Sequence, residues 1–335
     1  MSRSRALAAF LLAAALVAPT ATAAQDADEP LTVYSGRSES LVGPVIESFS
    51  EATGIEVAVK YADTAELAAL LLEEGDRSPA DVYFAQDAGA LGAVADARFL
   101  AALPEELLAV VPTGFSDVDG EWVGVSGRAR TAAYTTTEEL ELPESILEFT
   151  GPEWSGRIGW APANGSFQAF VTALRVIEGE DVAREWLEGI LANEPVAYPK
   201  NTAAVEGVAA GEVDVAFVNH YYLLRLLAEH GEDYPVAQHF FGGGDPGSLV
   251  NVAGVGQVAS TNQPGASLAF IDYLLSDEAQ SYFGESTYEF PLVEGVAADP
   301  RLPAIDSIEA PDVDLSALAD LQGSVELLRE VGAID

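Results

Sequence analysis

The stretch LTVYSGRSESLVGPVIESFSEATGIEVAVKYAD, residues 31–63, decides the fold class of this chain. Its two ends, residues 31–35 and 55–62, are short runs rich in strand-forming side chains, and each is predicted to be a β-strand. Between them apolar residues recur at helical spacing, and Gly54 is typical of a helix end. The order strand, helix, strand predicts a parallel α/β sheet, because parallel neighbours need a crossover connection.

The same alternation continues outward from this stretch along most of the chain. The first unit is completed by a predicted helix at 64–75 and a strand at 80–86, and a second unit has predicted strands at 157–163, 195–199 and 214–218 and helices at 166–179, 181–193 and 202–211. Further on, 248–259 is strand-like, 264–285 is predicted to be one long helix, and 314–335 is predicted to be helical. No low-complexity linker separates the units. We therefore expect two lobes joined by ordered strands, with a cleft between them.

Residues 1–24 have the pattern of an export signal: a basic start, an apolar run and small residues that permit cleavage after Ala23 or Ala24. No later segment is apolar enough to span a membrane. We therefore expect a mature protein that is periplasmic and soluble. The chain has no cysteine, which excludes disulfides, thiolate metal sites, a cysteine nucleophile and a lipid-anchored cysteine.

The charge balance of the chain limits the classes of partner that it can bind. There are 15 basic and 54 acidic residues, which give a net charge of -39. Such a surface repels nucleic acids and anionic membranes, so these two classes of partner are excluded. Hydrophobic residues make up 49% of the chain, which is enough for a packed core. We interpret the acidity as adaptation to a saline environment rather than as a cation-storage function.

The loops that follow the predicted strands are the expected binding regions, because ligands of open α/β sheets bind beyond the carboxyl ends of the strands. Four loops leave strand ends of this kind: SGRSE at 35–39, AQDAG at 85–89, PANGS at 162–166 and VNHYY at 218–222. In a two-lobed protein these four loops can converge on the cleft.

Two adjacent tyrosines, Tyr221 and Tyr222, lie where the predicted strand at 214–218 gives way to a helix. A phenol is neutral at pH 7, but a hard, highly charged cation can displace its proton and bind the phenolate oxygen. The positive end of the helix dipole favours the phenolate further. The pair is therefore a candidate ferric-iron site. The alternative is a pair of half-buried aromatic side chains that pack a lobe surface.

An anion site is predicted from a second set of residues. Asn164, Gly165 and Ser166 precede a predicted helix, whose free backbone N–H groups can bind an anion; a plain helix cap is the alternative. Arg37 and Arg128 are scarce cations in this acidic chain, and an arginine can clamp an oxyanion with two parallel hydrogen bonds. For either arginine, a surface salt bridge is the alternative.

Several stretches, taken in order along the chain, resemble the periplasmic ferric-ion-binding proteins of bacterial iron ABC transporters. They are LTVYSGRSESLV, ADVYFAQDAGAL, WVGVSGRARTAAY, GRIGWAPANGSFQAFVTALR, YPKNTAAVEGVAAGEVDVAFVNHYY, GDPGSLVNVAG and YEFPLV. The resemblance implies the two-lobed periplasmic substrate-binding-protein fold of type II. In that α/β fold each lobe is a mixed, mainly parallel sheet flanked by helices, and two hinge strands join the lobes. The resemblance places an N-terminal lobe at 31–128 plus 252–301 and a C-terminal lobe at 129–251 plus 302–335.

The resemblance also implies a set of ligands. Tyr221 and Tyr222 match the paired tyrosines through which members of the family bind Fe3+. Members also hold a synergistic anion, which is carbonate in some and phosphate in others. The residues of this chain that fall at the anion are Arg37, Arg128, Asn164, Gly165, Ser166, Asn201 and Asn219.

Three positions depart from the family pattern. Some members have a histidine ligand where this chain has Ser38, and a glutamate ligand where it has Gln86. Others have a third tyrosine where this chain has Asn164. Iron would then rely on anions or water for much of its coordination. Glu39 and Asp87 are additional cleft residues that can fill a position.

The implied activity is capture and delivery of iron, not catalysis. The lobes would close by a hinge motion, with Arg37 on the lobe opposite the tyrosines as a closure contact. The closed monomer would dock on a membrane permease that works with an ATPase subunit.

Two other hypotheses stay open. The same fold can carry an oxyanion, an organic anion or an iron chelate such as iron–citrate, with the tyrosines as cleft walls. The chain can also be an exported, metal-assisted hydrolase with a carboxylate base.

Overall fold

The computed structural model describes residues 29–335. The predicted export signal, residues 1–24, lies outside this range. Within the described range no helix combines the length and the apolar character needed to cross a membrane. The first elements, in chain order, are β1 Leu31–Ser35, α1 Glu39–Thr53, β2 Val57–Tyr61, α2 Thr64–Glu74, β3 Val82–Ala85, α3 Ala88–Asp96, β4 Leu100–Ala101 and α4 Glu105–Leu108.

The strands of this first unit pair as the sequence pattern predicts. β1 lies between β2 and β3 and pairs in parallel with both. α1 crosses from β1 to β2 and buries one apolar face, formed by Val42, Val45, Ile46 and Phe49. Gly54 ends the helix with a positive φ of 75°, a conformation that glycine adopts without a steric penalty. The parallel α/β unit is therefore confirmed.

The remaining elements begin with a long strand; those up to residue 239 build the second unit, those from 250 to 286 return to the first unit, and the last helix packs on the second. They are β5 Val123–Thr135, β6 Ile158–Trp160, α5 Gly165–Glu178, α6 Glu180–Ala192, β7 Val196–Ala197, α7 Asn201–Ala209, β8 Val215–Asn219, α8 Tyr221–His230, β9 Val236–His239, β10 Val250–Val258, α9 Pro264–Leu274, α10 Asp277–Ser286 and α11 Leu321–Glu330. β6 pairs in parallel with β7 and with β8, so the second predicted α/β unit is also present.

Two long antiparallel strands, β5 and β10, connect the units. The strand order is β2-β1-β3-β10-β5-β8-β6-β7, with β4 on β10 and β9 on β5. β10 pairs with β3 on one side and with the first half of β5 on the other. From Arg130 onward, β5 pairs instead with β8 and β9. The chain thus passes from one lobe to the other through β5 and β10, which is the arrangement expected of the two-lobed fold.

The prediction of a single helix over 264–285 is wrong. The segment forms two helices, α9 and α10, with a break at Ser276. The Ser276 side chain accepts a hydrogen bond from the backbone N–H of Ala279, and two acidic residues follow in the first turn of α10. Both features stabilise a helix start, so the local capping signal outweighs the continuous apolar pattern.

The C-terminal tail spans both units. A short 3-10 turn at Leu315–Ala319 packs on α3, and its Leu315 and Leu318 are buried in the core of the first unit. α11 then packs on α5 in the second unit. Asp320 separates the two pieces and caps α11 through the N–H of Gly323. The predicted lobe boundary at 301/302 stays a prediction, but the tail beyond it contacts both lobes.

Replacing Gly89 with alanine tests the contact between the tail and α3. A Cβ at this position would lie 2.2 Å from the backbone oxygen of Leu318, which cannot move away by changing a rotamer. We expect the free energy of unfolding in urea to fall by about 1–3 kcal/mol. Gly43 is the matched control, since a Cβ there meets nothing closer than 3.5 Å. Gly43→Ala should leave stability unchanged or raise it, and equal effects of the two changes would show that the tail does not pack on α3 in solution.

Candidate functional site

The tyrosine pair lies at the junction of β8 and α8, as the sequence predicts. β8 ends at Asn219 and α8 begins at Tyr221. The intervening His220 already has helical backbone angles and makes no side-chain cap. The rings of Tyr221 and Tyr222 lie 4.5 Å apart between centroids. Tyr221 is buried and Tyr222 is half-buried, so two phenols share one partly solvent-shielded place at a helix start.

The two phenols differ in their electrostatic surroundings. Burial alone would raise the pKa of Tyr221, but the positive charges of Arg128 and Arg225 and a hydrogen bond from Tyr222 bring it below the usual value. Burial raises the pKa of Tyr222 well above the usual value, and a negative charge on Tyr221 raises it further. Tyr221 is therefore the more acidic of the two phenols.

Arg225 is a site residue that the sequence interpretation missed. Its guanidinium lies 4.5 Å from the ring centroid of Tyr221 and 6.0 Å from that of Tyr222. It also donates a hydrogen bond to the backbone oxygen of Thr287 at 3.1 Å. Tyr221 and Arg225 are four residues apart on one helix, the spacing at which side chains meet. That spacing could have identified Arg225 from the sequence as a neighbour of Tyr221.

The predicted anion loop is a capped helix start. Asn164 caps α5: its Oδ1 accepts hydrogen bonds from the N–H of Ser166 at 3.0 Å and from the Ser166 hydroxyl at 2.7 Å. Asn201, at the start of α7, donates from its Nδ2 to Asn164 at 3.0 Å and to Ser166 at 2.9 Å. In the described part of the chain, the Oδ1 atom of Asn201 is buried without a hydrogen-bond partner. The structure thus brings Asn164, Ser166 and Asn201 together, while their role toward an anion stays a prediction.

Two buried arginines of β5 form the wall behind the tyrosines. Arg128 donates to the backbone oxygen of Gln86, and its charge acts on Tyr221. Arg130, two residues on, lies on the same face of the strand because side chains alternate. Burial lowers the pKa of Arg130 to about 9, so it stays cationic at pH 7. Among residues 29–335 neither arginine forms an ion pair with a carboxylate.

A small cleft opens beside these arginines. It is lined by Arg128, Arg130, Ser166, Ala169, Phe170, Asn219, Leu249 and Asn251. Its walls come from β5, β8, β10 and the start of α5, so both hinge strands contribute to it. Two positive charges and several hydrogen-bond donors face a cleft in a strongly acidic protein, which favours an anionic occupant.

Arg37 is held in a buried ion pair. Its Nη2 lies 2.8 and 3.0 Å from the two carboxylate oxygens of Glu289. The Ser126 hydroxyl donates to the same carboxylate at 2.6 Å. Burial would raise the pKa of Glu289, but the charges of Arg37 and Arg128 hold it below its usual value. Arg37 therefore forms an ion pair that is buried rather than at the surface, and its predicted anion and closure contacts stay predictions.

The remaining predicted residues lie at the first two loops. Ser38 and Glu39 are exposed at the start of α1, and the Ser38 hydroxyl lies 3.2 Å from that of Ser40. Asp87 caps α3 by accepting from the N–H of Ala90 at 2.9 Å, and burial raises its pKa. Gln86 contributes its backbone oxygen to Arg128. Within residues 29–335 no group of three or more histidine, cysteine or acidic side chains could hold a metal ion.

His220 joins the tyrosine junction to the segment that follows α10. It is fully buried, and its Nδ1 accepts from the N–H of Ala129 at 3.1 Å. Its Nε2 lies 2.8 Å from the backbone oxygen of Tyr288, to which it donates as the neutral tautomer. Burial lowers the pKa of His220 to about 4, which keeps the ring neutral at pH 7. The sequence contains no zinc-like histidine spacing, and this structural role was not predicted.

Known proteins resemble this chain over most of its length. A family model for bacterial extracellular solute-binding proteins matches residues 45–309. The Fe(3+)-binding periplasmic protein of Serratia marcescens is 31% identical over 328 residues, which is 97% of this chain and 96% of that protein. Iron-bound HitA from Pseudomonas aeruginosa has a TM-score of 0.84 and 35% identity, over 90% of this chain and 99% of that one. The Trichodesmium protein in complex with iron and citrate ligands has a TM-score of 0.79 and 26% identity, over 91% and 99%.

Proposed function

The chain belongs to the family of bacterial extracellular solute-binding proteins, and we propose that it captures ferric iron together with an anion in the cleft between its lobes. The observation that supports this most is the tyrosine pair, in which the charge of Arg128 lowers the pKa of the buried Tyr221. A phenol with a lowered pKa is poised to become an anionic oxygen ligand. Ferric iron is a hard cation and prefers such ligands.

The anion completes the proposed site. Two phenolates leave most positions around iron open, and two carboxylates near the cleft are engaged elsewhere: Asp87 in a helix cap and Glu289 with Arg37. Within residues 29–335, Arg128 and Arg130 have no carboxylate partners, and they can offset the charge of a carbonate, phosphate or citrate. Asn164, Ser166, Asn201 and Asn219 supply the polar surroundings. The iron- and citrate-bound relative supports an anion of this kind without fixing which one is used here.

We place the protein in the periplasm, as a carrier that delivers iron to an ABC permease and its ATPase subunit. The predicted export signal and the periplasmic relative support this location. The Serratia marcescens relative is named as a binding protein, which favours transport over catalysis. Proton release from the phenols on binding makes affinity fall as pH falls.

A second candidate is the same fold carrying an oxyanion or an organic anion, with the tyrosines as cleft walls. The two arginines without carboxylate partners favour it, because they suit an anion whether or not a metal is present. Binding of iron as a preformed chelate combines the two proposals. Measuring the charge-transfer band together with its dependence on the anion distinguishes iron capture from binding of an anion alone.

A visible-absorbance titration tests the proposed function. The mature protein is stripped of metal, and ferric iron is added with bicarbonate, phosphate or citrate in turn. We expect a tyrosinate-to-iron charge-transfer band that saturates at one iron per protein and depends on the anion supplied. The dependence identifies the anion. If no anion produces a band, Tyr221 and Tyr222 are not iron ligands, and the anion-carrier proposal replaces this one.

A further inference from the structure

Arg130 contacts the tyrosine site through one intermediate side chain. It lies directly opposite Asn219 in the pairing of β5 and β8. Its Nη1 donates to Asn219 Oδ1 at 3.4 Å, and its Nη2 donates to the backbone oxygen of Phe217 at 2.7 Å. The guanidinium also lies over the rings of Phe167 and Phe170, 5.2 and 5.1 Å from their centroids. Arg130 is therefore fixed in place on several sides.

Asn219 connects this arginine to the phenol. Its Nδ2 donates to the Tyr221 hydroxyl oxygen at 3.3 Å. A side-chain amide has one donor end and one acceptor end, whereas a guanidinium has only donors. The end of Asn219 that faces Arg130 must therefore be the oxygen, which turns the NH2 toward Tyr221.

We propose that Arg130 is a positioning residue of the iron site, which fixes the amide of Asn219 so that its NH2 group faces the Tyr221 oxygen. The inference rests on the proposed function, since it concerns the phenolate that would bind iron. A donor aimed at the phenolate stabilises the anionic form. Without Arg130 the amide can rotate by 180°, and its oxygen would then accept from the neutral phenol and stabilise the form that does not bind metal.

Arg130→Met is the first test. Methionine keeps an apolar side chain against Phe167 and Phe170 but loses the donors and the charge. We expect at least about tenfold weaker ferric-iron binding, the loss typical of one hydrogen bond to a charged group. The charge-transfer band should also move to longer wavelength, because a phenolate that loses a donor gives up its electron more easily. Arg157→Met is the matched control: that arginine also lies over an aromatic ring, Trp154, but outside the cleft, so the band should not change.

A double-variant comparison shows whether Arg130 acts through Asn219. In an Asn219→Leu background the amide is absent, so adding Arg130→Met should produce little further change in affinity or band position. An equal change in both backgrounds would mean that Arg130 acts by its charge alone, which overturns the proposal. An Arg130→Met variant that folds and binds iron like the parent overturns it as well.

An iron-free measurement keeps this inference separate from the proposed function. In 15N-labelled apoprotein, the Asn219 side-chain NH2 signals are identified by their loss in Asn219→Leu. They should shift when Tyr221 is changed to Phe in the parent, but not in Arg130→Met. If the parent shows this shift but gives no iron band, the result supports the inferred amide orientation and contradicts the proposal of iron capture. If Arg130→Met does not fold, Arg130→Leu, which also lacks donors and charge, provides the comparison, and an unchanged Tyr221 dependence of the amide signals in that folded variant together with an unchanged iron band overturns the proposal.

Discussion

Changing both Tyr221 and Tyr222 to phenylalanine should abolish the ferric charge-transfer band and saturable iron binding. Phenylalanine keeps the two rings, which lie 4.5 Å apart, and the stacking of Arg225 on them, but it removes both oxygens that can lose a proton. The lobes should therefore still fold and close, while no protein atom in the cleft replaces the phenolates. The measurement is the same absorbance titration, with the anion that gives the strongest band in the parent.

Each single change should weaken binding by more than the roughly 10–100-fold that loss of an outer-shell partner costs, because a direct ligand is removed. Tyr198→Phe is the control. Its hydroxyl donates to Glu212 at 2.9 Å in the same lobe but away from the cleft, so this variant should bind like the parent. A double variant that still binds iron with the parental affinity would show that the tyrosines are walls of an anion or chelate site.

Local sequence patterns account for most of the fold. The strand–helix–strand order of residues 31–61 determines the parallel pairing of β1 and β2, because amphipathic spacing and the Gly54 helix end act over a few residues. The junction of β8 and α8 at Tyr221 was predicted for the same reason. Where prediction was wrong, at Ser276, two local signals competed, and the helix cap outweighed the apolar repeat.

The candidate site was predicted in part. Tyr221 and Tyr222 were proposed as ligands because adjacent phenols at a strand end are chemically distinctive, and the structure places them together at that junction. Arg130 and Arg225 were missed, although their spacing places them beside candidate residues. Arg130 is two residues after Arg128 on a strand, and Arg225 is four residues after Tyr221 on a helix. Applying the same alternation and helical spacing around each candidate ligand would have found both.

The partner of Arg37 could not have been predicted. Glu289 lies 252 residues further along the chain, and no local pattern links the two. Its own segment follows α10 and pairs through Phe290 with Gly127 of β5, a contact that only the folded topology creates. Contacts of this range depend on how the two lobes are joined, which residue spacing does not encode.

The buried pair of Arg37 and Glu289 gives the largest expected loss of stability. Both side chains are about 1% exposed, and the Arg37 Nη2 lies 2.8 Å from the carboxylate. Glu289→Gln keeps the shape but leaves the guanidinium buried without its counter-charge. We expect the free energy of unfolding in urea at pH 7 to fall by about 3–5 kcal/mol, since removing one partner of a buried pair strands the other charge.

The pH dependence of this loss has a definite sign. The pKa of Glu289 is lowered in the folded protein, so its ionisation contributes stability above the usual carboxyl pKa and loses that contribution as pH falls through the folded value. The stability difference between the parent and Glu289→Gln should therefore be constant near neutral pH and shrink below about pH 4. Glu285→Gln, at an exposed position of α10, is the control and should change stability by less than about 0.5 kcal/mol.

A double variant separates the cost of a stranded charge from the value of the pair itself. Arg37→Met combined with Glu289→Gln removes both charges, and we expect it to recover much of the stability that Glu289→Gln loses. A double variant no more stable than the single one would mean that the carboxylate is needed for its other contact, the Ser126 hydroxyl at 2.6 Å. In that case Glu289 holds its segment against β5 at the crossing between the lobes mainly through the Ser126 hydroxyl.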